Sequence, residues 1–172
     1  MQDEVAENLK SYIQRLLPMI SSVFLILLSY VPFDFPMSGN IRPAVGMVCV
    51  YYWMIHRSDL FNFVSVYILG LIEDIITAAP LGTNIFSLLV LYLLLNGLSR
   101  FFYAKPFIVT WYGFAFLSFI TFFCKWFMVS IYYGQFLPVM MVVFSYLFSI
   151  AAYPVLSLFN AFIQSYLIQD EV

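Results

Sequence analysis

The sequence predicts an all-α membrane protein, six transmembrane helices in a single bundle, and three observations carry that expectation. Hydrophobic residues make up 64% of the 172 and charged residues only 9%, against about half and a quarter in an ordinary soluble domain. Mean hydropathy is +0.97. The apolar residues also gather into six runs separated by short breaks that hold most of the prolines, glycines and charges. A soluble globule of this composition would have almost nothing polar to show water. The net charge of −2 gives no reason to expect a nucleic-acid partner.

The runs are Leu16–Val31, Ala44–Ile55, Leu60–Ala79, Thr83–Leu98, Phe107–Tyr133 and Phe136–Leu167. About 20 residues are needed to cross hydrocarbon. The first run follows Lys10 and Arg15 and leaves through Ser29-Tyr30-Val31-Pro32 without a small-x-small cleavage pattern, so it is expected to be a retained helix. The second is short and is expected to start further out, cross a thinned patch or half-enter. The third carries Glu73 and Asp74 and ends at the turn Pro80-Leu81-Gly82. Thr83 or Asn84 can cap the fourth. The last two are long, and tilt absorbs the excess. Pro138 suits the first turn of helix six, and Pro154 predicts a kink within it. With short loops and no repeats, residues 1–172 form one polytopic domain, with a cytoplasmic segment at 1–15 and a tail at 168–172.

Six crossings place Lys10, Arg15, Arg57, Arg100 and Lys105 on one side and Arg42 on the other. Basic residues favour the cytoplasm, so both termini are expected there. Tyr51-Tyr52-Trp53, Phe101 to Tyr103, Trp111-Tyr112 and Tyr132-Tyr133 lie near run ends and suit an interfacial aromatic belt. Cys49 and Cys124 sit in apolar runs and read as packing residues, with no disulfide or metal site implied.

The carboxylates of Glu73 and Asp74 are the sharpest feature. An ionisable side chain in hydrocarbon costs several kcal/mol and is rarely idle. At 1.5 Å per residue, Asp74 lies about 8 Å below the outer end of helix three, and Lys125 about 12 Å below that of helix five. Lys125 is the only basic residue deep in an apolar run, so an ion pair of Lys125 with Asp74 or Glu73 is expected. Gly70 and Asp74 share a helix face, and Gly70 permits close helix contact. That makes Asp74 the buried partner and Glu73 the peripheral one. A structural clamp is preferred to a proton or ion relay, since one pair does not make a pathway.

Other constellations are thinner. His56-Arg57-Ser58-Asp59 reads as a topogenic break, with Arg57 at headgroup level and Ser58-Asp59 capping helix three. Arg42 reads as a headgroup or partner contact. No G-x-S-x-G elbow, H-E-x-x-H pair or phosphate loop is present, so neither catalysis nor a cofactor is expected.

The block Gly70-Leu71-Ile72-Glu73-Asp74-Ile75-Ile76-Thr77-Ala78-Ala79-Pro80-Leu81-Gly82 resembles the hallmark of the bacterial rod shape-determining MreD family, roughly G-L-x-x-D-L-L-x-G-x-P-L-G. The resemblance extends to Tyr51 to Arg57, Phe107 to Phe114, Lys125-Trp126 and Tyr153-Pro154. Ala78 stands where the family has glycine, which suggests a stiffer helix end, and Ser58 where proline is common. The resemblance implies an inner-membrane, non-enzymatic subunit of the cell-elongation machinery. It also implies a bitopic MreC-like partner and, indirectly, MreB, a RodA-type glycosyltransferase and a class B penicillin-binding transpeptidase, in a fold similar to the six-helix substrate-binding subunits of energy-coupling factor transporters. Asp74, Pro80 and Gly82 are carried over as matching positions, and Gly70, Glu73, Asp74, Pro80, Leu81, Gly82 and Asn84 together form the expected structural or partner motif; membrane lipid is a further expected partner of the protein. The alternative is a small-molecule uptake subunit of the same plan, for which few polar residues are available to line a pocket. An intramembrane hydrolase lacks its residues.

Overall fold

A computed structural model describes the backbone of residues 2–30, 42–102 and 105–169, and side chains over 16–30, 42–98, 101–102 and 105–165. The described residues form six α-helices and no strand: α1 (Gln2–Ser29), α2 (Val45–His56), α3 (Phe63–Thr77), α4 (Thr83–Phe102), α5 (Phe107–Tyr133) and α6 (Val139–Gln169).

The arrangement is a ring around a core helix. α2 touches every other helix, while α1, α3, α4, α5 and α6 meet in that cyclic order, with α6 closing onto α1. The sequence of α2, VGMVCVYYWMIH, is apolar on all sides, as a helix enclosed on all sides must be. Eleven of its 12 residues are buried. It spans only about 18 Å. The short second run does not start further out: the helix begins at Val45, and its neighbours enclose it.

Several expectations change here. Tyr51, Tyr52 and Trp53 are core residues, not an interfacial belt; Tyr51 and Trp53 have no exposed surface. Their position on the enclosed helix decides this. The Tyr51 hydroxyl donates to the Thr110 carbonyl at 2.7 Å and that of Tyr52 to Gln164 Oε1 at 2.7 Å. Tyr112, Tyr132 and Tyr133 do remain exposed. α1 begins at Gln2, so residues 2–15 are helical and Pro18 lies inside the helix. α3 is capped by Asn62, whose side chain accepts from the Ser65 N–H at 3.1 Å. Ser58 and Asp59 lie in the preceding turn and cap nothing, because the helix starts at Phe63. α6 runs to Gln169, two residues into the expected tail, and Pro138 sits just before it. The side chains of Lys10, Arg15 and Arg100, all of Tyr103, and residues 31–41 of the expected first loop lie outside the described residues.

Among the described residues, two helices are long and apolar enough to cross a membrane by length and composition, Phe107–Tyr133 and Val139–Ser165. Both present large apolar side chains outward. On α5, Tyr112, Phe116, Phe119, Phe123 and Phe127 recur at three- or four-residue spacing and are all exposed. On α6, Met140, Phe144 and Leu147, and then Val155, Leu158 and Phe162, do the same.

Candidate functional site

The polar residues of α3 converge on the turn that follows it. Thr77 ends the helix, its hydroxyl donating to the Glu73 carbonyl at 2.6 Å. Ala78 then takes the left-handed conformation, φ 49°, the one non-glycine residue among those described with positive φ. Gly82 follows at φ +100°, a region that favours glycine. Between them, the Pro80 carbonyl accepts from the Thr83 N–H at 3.1 Å and the Thr83 hydroxyl at 2.7 Å. The chain thereby doubles back over its own helix.

Asp74 closes this loop. Its Oδ2 accepts from the Gly82 N–H at 2.7 Å and its Oδ1 from the Asn84 N–H at 2.8 Å. Both donors belong to the start of α4, where N–H groups lack partners within the helix and a negative charge complements the dipole. Asp74 is 1% exposed. It caps α4 from another helix, the role the sequence suggests for Thr83 or Asn84. Gly70, one turn before Asp74, lets the two helices close up: a Cβ there would lie 2.6 Å from the Ile85 Cα.

Glu73 is not peripheral. It is 6% exposed, and its Oε1 accepts from the Gly46 N–H on α2 at 3.1 Å. Adjacent helix residues point about 100° apart, so Asp74 turns to α4 while Glu73 turns to α2. A Cβ on Gly46 would collide with the Glu73 carboxylate. The expected pairing of Lys125 with Glu73 or Asp74 also takes another form. Among the described residues no ion pair within 4 Å joins them; Lys125 Nζ donates to Asn84 Oδ1 at 2.5 Å. Asp74 already has two backbone donors, and Asn84 stands between the carboxylates and α5. Asn84 is the hub: its N–H binds Asp74, its Nδ2 donates to Thr77 Oγ1 at 3.2 Å, and its Oδ1 receives Lys125.

Beside this network lies a cavity of about 550 Å³ lined by Tyr30, Arg42, Glu73, Asn84, Lys125 and Trp126 among others. Arg42 is exposed and its guanidinium stands 5.0 Å from the centroid of the Tyr30 ring. Trp126 donates to the Leu137 carbonyl at 3.1 Å, fixing the α5–α6 side of the wall. A polar-lined cavity was not expected from so few polar residues; four helices and the segment before α2 each contribute one or two. Sequence patterns pointed to neither Gly46 nor Thr77. Asn62 was detectable as Asn-x-x-Ser ahead of an apolar run.

The remaining candidates fall apart from this cluster. Arg57 lies between α2 and α3, with Nε 3.4 Å from Asp59 Oδ1. Leu81 is 76% exposed at the tip of the turn, and Pro80 is half-buried. Cys49 and Cys124 are free thiols. Among the described residues no three His, Cys, Asp or Glu side chains are grouped to hold a metal ion. No family model, curated protein or solved structure matches the chain.

Proposed function

We propose that the chain is a non-enzymatic inner-membrane scaffold of the MreD type, crossing the bilayer six times with both termini cytoplasmic, and binding a bitopic MreC-like partner of the cell-elongation machinery. Through that partner it meets MreB, the RodA-type glycosyltransferase and the class B transpeptidase. The observation that carries this reading is the use made of the Gly70 to Asn84 block. Asp74, Gly70 and Gly82 serve to hold the turn: each Asp74 carboxylate oxygen accepts a main-chain N–H, and Leu81 is left outward. The exposed apolar faces of α5 and α6 favour the same reading, because helix association in lipid rests on packing of such faces.

Co-purification from mild detergent with an MreC-type partner tests it. Wild type is expected to co-elute. Leu81→Asp is expected to lose the partner while keeping its helical content and unfolding temperature, since that side chain touches little of its own chain. Failure of the wild type to co-elute would overturn the proposal.

One observation favours the second reading, a small-molecule uptake subunit: the polar cavity beside Lys125. Genes for a transporter ATPase beside this one would favour it, and wall-elongation genes the scaffold.

A further inference from the structure

The cavity has a chemistry of its own. Among the described residues its charged lining is Arg42 and Lys125 against Glu73. Asp74 lies behind the lining, where its oxygens accept from two backbone N–H groups and its charge also acts on Lys125. Lys125 has three N–H donors and spends one, on Asn84. Glu73 has two carboxylate oxygens and spends one, on Gly46; Oε2 has no hydrogen-bond partner among the described residues. Beside Lys125, α5 and α6 add apolar lining: Trp126, Met141 and Val142. At about 550 Å³ the space lies in the range that holds a small organic ligand.

A half-buried cation with unused donors, a carboxylate with an unused acceptor and apolar lining specify a ligand. We propose that the cavity binds an anionic amphiphile. Its phosphate is held by Lys125 with Arg42, a hydroxyl beside the phosphate donates to Glu73 Oε2, and its hydrocarbon lies on Trp126, Met141 and Val142. A quaternary-ammonium headgroup fails, because it has no donor for Glu73. The site does not depend on the scaffold reading, since binding is read on the purified chain with no partner.

The same headgroup chemistry comes from a bilayer lipid or from a soluble glycerol phosphate. The full chain in neutral detergent is titrated with phosphatidylglycerol, phosphatidylcholine and glycerol phosphate, and binding is followed by native mass spectrometry and by the shift in unfolding temperature. Phosphatidylglycerol is expected to bind about tenfold tighter than phosphatidylcholine, the order of one charge-assisted contact. Lys125→Met is expected to remove that preference. Ser145→Phe, which fills the cavity and leaves the Lys125–Asn84 bond in place, is expected to abolish binding. Binding of glycerol phosphate at the same concentrations as the lipid identifies a soluble headgroup as the ligand; binding of the lipid alone identifies a membrane component. Equal affinity of wild type for the two lipids, or unchanged binding in Ser145→Phe, would overturn the proposal, and neither depends on Lys125→Met folding.

Discussion

At Asp74 one carboxylate does for α4 what a cap residue ordinarily does within its own helix. Asp74→Ala leaves the Gly82 and Asn84 N–H groups buried without acceptors and is expected to cost about 2–4 kcal/mol. Asp74→Asn, which keeps one acceptor, is expected to cost about half as much. Unfolding in detergent followed by circular dichroism measures both, and a loss near zero for Asp74→Ala would remove the capping role. Ala78 points the other way. A non-glycine residue in the left-handed region is strained, so Ala78→Gly is expected to stabilise the protein by about 0.5–1 kcal/mol. The same unfolding curve decides it, a lower midpoint counting against. The lysine is distinguishable by coupling. In double-mutant cycles Lys125 is expected to couple to Asn84 by about 1 kcal/mol and less to Asp74. Equal coupling to both would restore the direct ion pair. Burial of an acid in an apolar run is readable from sequence. Its partner is not, because the donors are main-chain groups eight and ten residues on, brought near only by the turn.

The elements show the same division. Helix content and approximate limits follow from the apolar runs and their breaks, and α4 and α5 start where Thr83 and Phe107 predict. The closeness of α3 and α4 rests on Gly70, whose missing side chain admits the Ile85 backbone. Gly70→Val is expected to force them apart at about 1–3 kcal/mol, read as a lowered unfolding midpoint, whereas Gly97→Val, at a site with open space, leaves the packing intact. Gly46 does for α2 what Gly70 does for α3, admitting the Glu73 carboxylate to the helix backbone. A glycine in an apolar run looks alike in sequence whether it faces a neighbour or nothing; the neighbour decides.

For the whole molecule, the ring around α2 sets what meets the surroundings. Six crossings are expected to place residues 58 and 105 on one side of the membrane and 81 and 135 on the other. Single cysteines at those positions, with Cys49 and Cys124 replaced by alanine, should label with an impermeant maleimide from opposite sides; labelling of all four from one side would contradict six spans. The chain's composition by itself determined a helical, apolar protein, and its breaks determined the number of helices, because hydropathy is a local sum over neighbouring residues. The sequence of α2 has no polar face, which fits a membrane span as well as an enclosed helix. Which helices enclose it, why Tyr51 and Trp53 lie inside and not at an interface, and how Arg42, Glu73 and Lys125 come to share one cavity were decided only by tertiary structure. Those facts depend on which faces meet across the ring, and residues about 30 to 80 positions apart in the chain carry no local mark of their meeting.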